Sequence, residues 1–247
     1  MSIFIFFIGL IIGSFLNVCI YRIPKGESIS YPPSKCNICG EYIKPYDLIP
    51  IISYLLLKGK CRNCGTTLSL QYPVVELLNG FICLMLYFKF GFSLIFLKYI
   101  LITSLLLVIS IIDYKFMIIP NKLIIFGFII VSILNILYNF PSSYLNGLIG
   151  LLFGGGIFLI IALVTKGAMG GGDIKLISLI GFALGFKVLM IILCSFIIGA
   201  LLSIILLLTK IKSRKDYIPF GPFISISTII VLFFYKEILT LYFNLII

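Results

Sequence analysis

The chain has 247 residues, of which 62% are hydrophobic and 11% charged. That balance leaves too little polar surface for a soluble domain of this length and points to a polytopic membrane protein. The formal charge of +11 follows from positive-inside sorting and attraction to anionic headgroups; no soluble basic patch with stacking aromatics accompanies it, so nucleic acid is not an expected partner.

Crossing a bilayer takes about 18–20 apolar residues. Eight runs qualify, at 1–20, 74–91, 92–112, 122–139, 145–165, 174–187, 188–209 and 217–235. The sixth is short, and the tail 237–247 is too short to span alone. The expected fold is all-α, with about eight transmembrane helices and one small insert between the first and second. Residues 1–20 form the first helix, 21–73 the insert and 74–247 the membrane core.

The first apolar run does not read as a cleaved signal. It lacks a positive leading segment, and Tyr21-Arg22 follows the run instead of preceding it. Positive charge after the first span places the N-terminus outside and the insert in the cytosol. Threading eight spans from that start puts 21–73, 113–121, 166–173 and 210–216 on the cytosolic side. With Lys122 and Lys175, that side holds fifteen of the nineteen Lys and Arg, a bias that supports the orientation independently.

The insert carries Cys36-Asn37-Ile38-Cys39-Gly40 and Cys61-Arg62-Asn63-Cys64-Gly65. Two matched C-x-x-C-G knuckles about twenty residues apart can close a tetrahedral thiolate site around one Zn²⁺. A glycine after each second cysteine suits the tight turn such a knuckle needs, and a cytosolic setting disfavours disulfides. A four-cysteine site has no open coordination position, so Cys36, Cys39, Cys61 and Cys64 are read as structural ligands. With the metal counted, the insert carries about +2 and is no strong anion trap. Cys19, Cys83 and Cys194 lie in apolar runs and read as small core residues.

Two aspartates stand at the edges of apolar runs: Asp113 after Leu94–Ile112, and Asp173 directly behind Gly170-Gly171-Gly172. An ionisable group at membrane depth costs about 2.5–3.5 kcal/mol and is a functional-site hypothesis by default. The glycines read as a loop without side chains that a substrate chain can approach, and the dipole of the following helix stabilises an anion at Asp173. Structural roles compete with this reading: Asp173 also fits a plain N-cap, and Asp113 an interface anchor beside Lys115.

The chain has no histidine, which removes Ser–His and Cys–His pairs and the H-E-x-x-H zinc site. Ser178 near Lys175 allows a Ser–Lys dyad in principle, without supporting context. Two aspartates sharing a proton can activate water against an amide, one as base and the other as donor to the carbonyl oxygen.

Taken in order, these motifs resemble the type IV prepilin peptidases, polytopic aspartyl proteases of the GxGD type. The likeness runs through Gly13-Ser14-Phe15-Leu16-Asn17-Val18 with Tyr21-Arg22-Ile23-Pro24, the two knuckles, and Tyr72-Pro73-Val74-Val75-Glu76-Leu77-Leu78. It continues through Asp113 to Ile119-Pro120, Gly170 to Asp173-Ile174-Lys175, and Pro219-Phe220-Gly221-Pro222. The resemblance implies cleavage of a basic leader from prepilin or pseudopilin precursors, at the cytosolic face of a bacterial inner membrane. It also implies Asp113 and Asp173 as the catalytic pair. Gly170, Gly171, Gly172 and Lys175 belong to the matching motif and are expected at the substrate. Members that keep the cysteine insert also N-methylate the new terminus with S-adenosylmethionine, so a second activity is implied, although no glycine fingerprint for the cofactor stands in the sequence. Glu76, where a span leaves the insert, serves either cofactor or substrate binding or a salt bridge to the insert.

Two other classes remain open. A transporter also carries intramembrane acids and glycine-broken helices, but it calls for inverted repeats and acids near the midplane. A non-enzymatic scaffold of a pilus or secretion assembly would tolerate Asp→Asn at both positions.

Overall fold

The computed structural model describes residues 1–167, 169–210, 213 and 217–246. Most of the expected loop 210–216 therefore lies outside the described residues. Among the described residues the long elements are all helices, without a named strand, and seven stretches are long and apolar enough to cross a membrane. The expected all-α, multi-pass fold is borne out. The sixth and seventh runs form one continuous apolar stretch, Gly171–Leu208, broken into two helices, so eight long helices make seven stretches. The chain divides into two units, Met1–Val108 and Ile109–Ile247.

In the first unit, α1 (Ser2–Arg22) runs antiparallel to α3 (Gln71–Phe90), and the insert between them contains the short α2 (Ile52–Leu56). Small residues set the register. A Cβ on Gly9 would stand 2.8 Å from Gly80 Cα, and one on Gly13 would stand 2.7 Å from Glu76 Cα. One further turn along, the Asn17 Nδ2 donates to the Tyr72 carbonyl (3.1 Å). Each facing pair lies four residues beyond the last on both helices, so the register does not drift. Glycines let backbones meet where apolar side chains would gain nothing over lipid. Asn79, fully buried, donates to the Gly9 carbonyl (2.7 Å) and accepts from the Ser104 hydroxyl (2.8 Å) on α4 (Leu94–Phe116).

The second unit holds the end of α4 and five further helices: α5 (Asn121–Asn139), α6 (Ser142–Val164), α7 (Gly171–Leu184), α8 (Val188–Leu208) and α9 (Gly221–Ile246). Gly147, Gly150 and Gly154 form a bare stripe on α6 against α7; a Cβ on Gly150 or on Gly181 would fall on the other residue's carbonyl oxygen. α7 has only 14 residues, about 21 Å at 1.5 Å per residue and short of the roughly 30 Å hydrocarbon core. It ends at Gly185, whose φ of +62° turns the chain into α8. In α9, Phe234 leaves helical geometry, and the tail, too short to span alone, continues beyond that kink as helix to Ile246.

Candidate active site

Two helix boundaries differ from the sequence expectation, and both concern the aspartates. α4 continues to Phe116, so Asp113 lies inside its final turn, and the helix closes at Met117 with a φ of +54°. α7 begins at Gly171, so Gly171 and Gly172 form its first turn and are not a loop; Gly170 is the extended N-cap. Asp173 is thus the third helical residue and not the cap itself. First-turn amides have no partner within a helix, so glycines there forfeit few hydrogen bonds.

Asp113 is 5% exposed. Its Oδ2 accepts the amide of Gly221, the first residue of α9 (2.8 Å). A Cβ at Gly221 would stand 2.6 Å from that oxygen, so the contact requires glycine. The turn before it is pinned by aromatic packing: Phe220 lies against Phe158, Phe196 and Phe223, with ring centroids 5.4–6.0 Å apart. Asp173 is half-buried, its amide donates to the Gly170 carbonyl (3.0 Å), and it interacts through charge with Asp113. The two carboxylates of the second unit are thus near enough to interact through charge. Gly172 faces Ile119, with a built Cβ 3.0 Å from that side chain, and Lys175 Nζ donates to Asn121 Oδ1 (2.9 Å). Ser178 donates to the Ile174 carbonyl (2.7 Å), an ordinary helix contact.

Gly221 was part of the family motif but was not singled out as a site residue. A glycine between Phe220 and Pro222 at the head of an apolar run was the available signal. Its partner, 108 residues away, was not readable.

The cysteines of the insert converge. The sulfurs of Cys36, Cys39, Cys61 and Cys64 lie within 4.8 Å of one another. Zn–S bonds of about 2.3 Å in a tetrahedron put sulfurs about 3.8 Å apart, and Cys36 Sγ and Cys64 Sγ are 3.8 Å apart. The knuckles repeat one hydrogen-bond pattern: Gly40 to the Cys36 carbonyl and Gly65 to the Cys61 carbonyl, both 3.0 Å. Gly40 and Gly65 have φ of +73° and +70°, the left-handed turn that brings amides toward the sulfurs. Hydrogen bonds from the Thr66 hydroxyl and amide push the Cys64 thiol down to about 6. Arg62 pairs with Asp47 in a two-bond fork (2.9 and 2.6 Å) and holds that carboxyl below its ordinary range. Cys19 and Cys83 are buried as expected, and Cys194 is half-buried.

Glu76, 6% exposed, forms no salt bridge to the insert among the described residues. Its Oε2 accepts the backbone amide of Ile51 (2.8 Å), and its carboxylate also takes a hydrogen bond from Ser14. It stands at the edge of a cavity of about 530 Å³ within the first unit, lined among others by Asn17, Tyr21, Tyr54, Lys60 and Tyr72.

The comparisons with known proteins follow the same two-part division. The family model described as bacterial peptidase A24 N-terminal domain matches residues 7–90, and that of the type IV leader peptidase family matches residues 100–204. The prepilin leader peptidase/N-methyltransferase of Bacillus subtilis (strain 168) is 36% identical over 239 residues, covering 96% of each chain. Proteins of the same name from Pseudomonas aeruginosa and Neisseria gonorrhoeae are 31% and 30% identical, covering 95% and 89% of this chain and 91% and 86% of theirs. No solved structure matches. With relatives alike over nearly its whole length and a leader-peptidase core in its second half, the chain belongs to the type IV leader peptidase family.

Proposed function

We propose that this protein cleaves the basic leader from prepilin-like precursors at the cytosolic face of a bacterial inner membrane, with Asp113 and Asp173 as the water-activating pair. The observation that carries the reading is that two carboxylates from distant segments interact through charge, one in the first turn of a short helix and the other oriented by a backbone amide. One carboxylate takes a proton from water as the oxygen attacks the scissile carbonyl carbon, and the other donates a proton to the carbonyl oxygen. Collapse of the tetrahedral species breaks the C–N bond and returns a proton to the leaving amine. The precursor's hydrophobic helix enters from the bilayer while its leader stays in the cytosol. Because a helix hides its amides, the substrate must be extended where it is cut, beside the bare first turn Gly171-Gly172.

The insert supports the second activity. Its thiolate geometry suits one structural Zn²⁺, which leaves no open position for catalysis. The adjoining cavity falls in the size range of small-molecule sites, which is about 300–1,000 Å³. It offers tyrosine faces for a purine and the buried Glu76 for a ribose diol, so its residues fit an adenosyl group. Bound there, S-adenosylmethionine would supply an electrophilic methyl for the new N-terminal amine. Mass spectrometry of a pilin-type precursor treated with the purified protein tests both activities: leader loss reads the peptidase, and one added methyl in the presence of the donor reads the transferase. An intact precursor under all conditions would reject the proposal.

A further inference from the structure

The insert carries an exposed run of aliphatic side chains. Leu48, Ile49, Ile52, Leu55 and Leu56 are all exposed, Leu55 at 68% and Leu56 at 77%. They come from α2 and the turn before it, and Lys44, Lys58 and Lys60 flank them, also exposed. Part of the segment's backbone is bonded within the segment. Ser53, Leu55 and Leu57 donate to the carbonyls of Ile49, Ile51 and Ser53 at 2.9–3.1 Å, and the Ser53 hydroxyl caps Ile49 at 2.7 Å.

Its height is fixed by one contact. Ile51, with a φ of +62° that a β-branched residue adopts only under constraint, heads a three-residue turn in which Ile52 donates to the Pro50 carbonyl (2.6 Å). Its own amide is held by Glu76 at 2.8 Å. Glu76 lies five residues inside α3 and faces Gly13, nine residues before Arg22 at the end of α1. At 1.5 Å per residue the tether point is about 7.5 Å below the start of one apolar helix and about 13 Å below the end of the other. Interfacial helices bury their apolar faces about 5–10 Å into the headgroup and acyl boundary.

We infer that residues 48–57 form an interfacial anchor that dips into the lipid leaflet beside α1 and α3, with the flanking lysines reaching back to the headgroups. The occupant of the face is lipid, because the Glu76 tether holds it at bilayer height and because exposed lysines flank it. The anchor would hold the insert and its cavity down on the membrane surface, whatever ligand the cavity takes.

The chain contains no tryptophan, so one introduced indole reports alone. Leu55→Trp and Leu56→Trp replace exposed side chains and are made separately in the full-length protein in lipid nanodiscs, with metal content as the check on folding. The expected result is blue-shifted emission, little quenching by aqueous iodide, and quenching by bromolipids that is stronger for bromine near the headgroup end of the acyl chain than near its tip. Red-shifted emission with iodide quenching would overturn the inference by placing the face in water. Blue-shifted emission untouched by every bromolipid would overturn it by placing the face against protein. The readout is independent of peptidase and methyl-transfer activity, so it stands or falls apart from the proposed reactions.

Discussion

The amide of Gly221 donates to Asp113 Oδ2 at 2.8 Å, and no larger residue fits at that position because a Cβ would stand 2.6 Å from the same oxygen. The Phe158, Phe196 and Phe223 rings hold the preceding Phe220, so the amide cannot simply retreat. Gly221→Ala is therefore expected to displace the Asp113 carboxylate and lower kcat for leader cleavage by about 100-fold, the scale of a misplacement near 1 Å. KM should change far less, since in the proposed mechanism the substrate's helix and leader bind away from Gly221. Steady-state cleavage assays on a precursor peptide check the split.

Gly172 meets Ile119 at 3.0 Å from its built Cβ. Gly172→Val adds a branched side chain beside Asp173 where α7 starts. Cleavage should fall by at least about tenfold, while the thermal transition moves only slightly. Normal turnover would remove the bare first turn from the mechanism.

Gly150 and Gly181 meet backbone to backbone, so Gly150→Ala must push α6 away from α7. The expected cost is about 1–3 kcal/mol, the range for overpacking a close contact. It is read as a lowered unfolding midpoint in detergent.

The sulfur geometry predicts one divalent metal per chain, lost in Cys36→Ser. Elemental analysis reads the metal. Methyl transfer should disappear with it and leader cleavage should persist, because the knuckles wall the cavity of the first unit while both aspartates lie in the second. The Cys64 thiol, pushed down to about 6, is a thiolate above that pH and is protonated as the pH falls through it. Metal uptake by the metal-free insert should accordingly weaken on acidification through about pH 6.

The spans, the short sixth helix and the four-cysteine cluster were legible because each is written locally, as apolar runs or matched knuckles. The start of α7 differs from the expectation because three glycines read as a loop, whereas two of them open the helix and Gly170 caps it with its carbonyl. The end of α4 was placed too early because Asp113 breaks the apolar run without breaking the helix. Gly221 beside Asp113, and Glu76 beneath Ile51, depend on packing between segments far apart in sequence, and no local pattern encodes such pairs.

The aspartate pair is tested by cleavage of a pilin-type precursor by purified wild type, Asp113→Asn and Asp173→Asn side by side. Asn keeps the size and removes the titratable group. Wild type is expected to cut, and each variant, folded and metal-loaded, to lose at least about 100-fold in rate, the lower end for removing a general acid or base. If either variant cuts at the wild-type rate, that aspartate is a structural residue and the two-carboxylate mechanism is wrong.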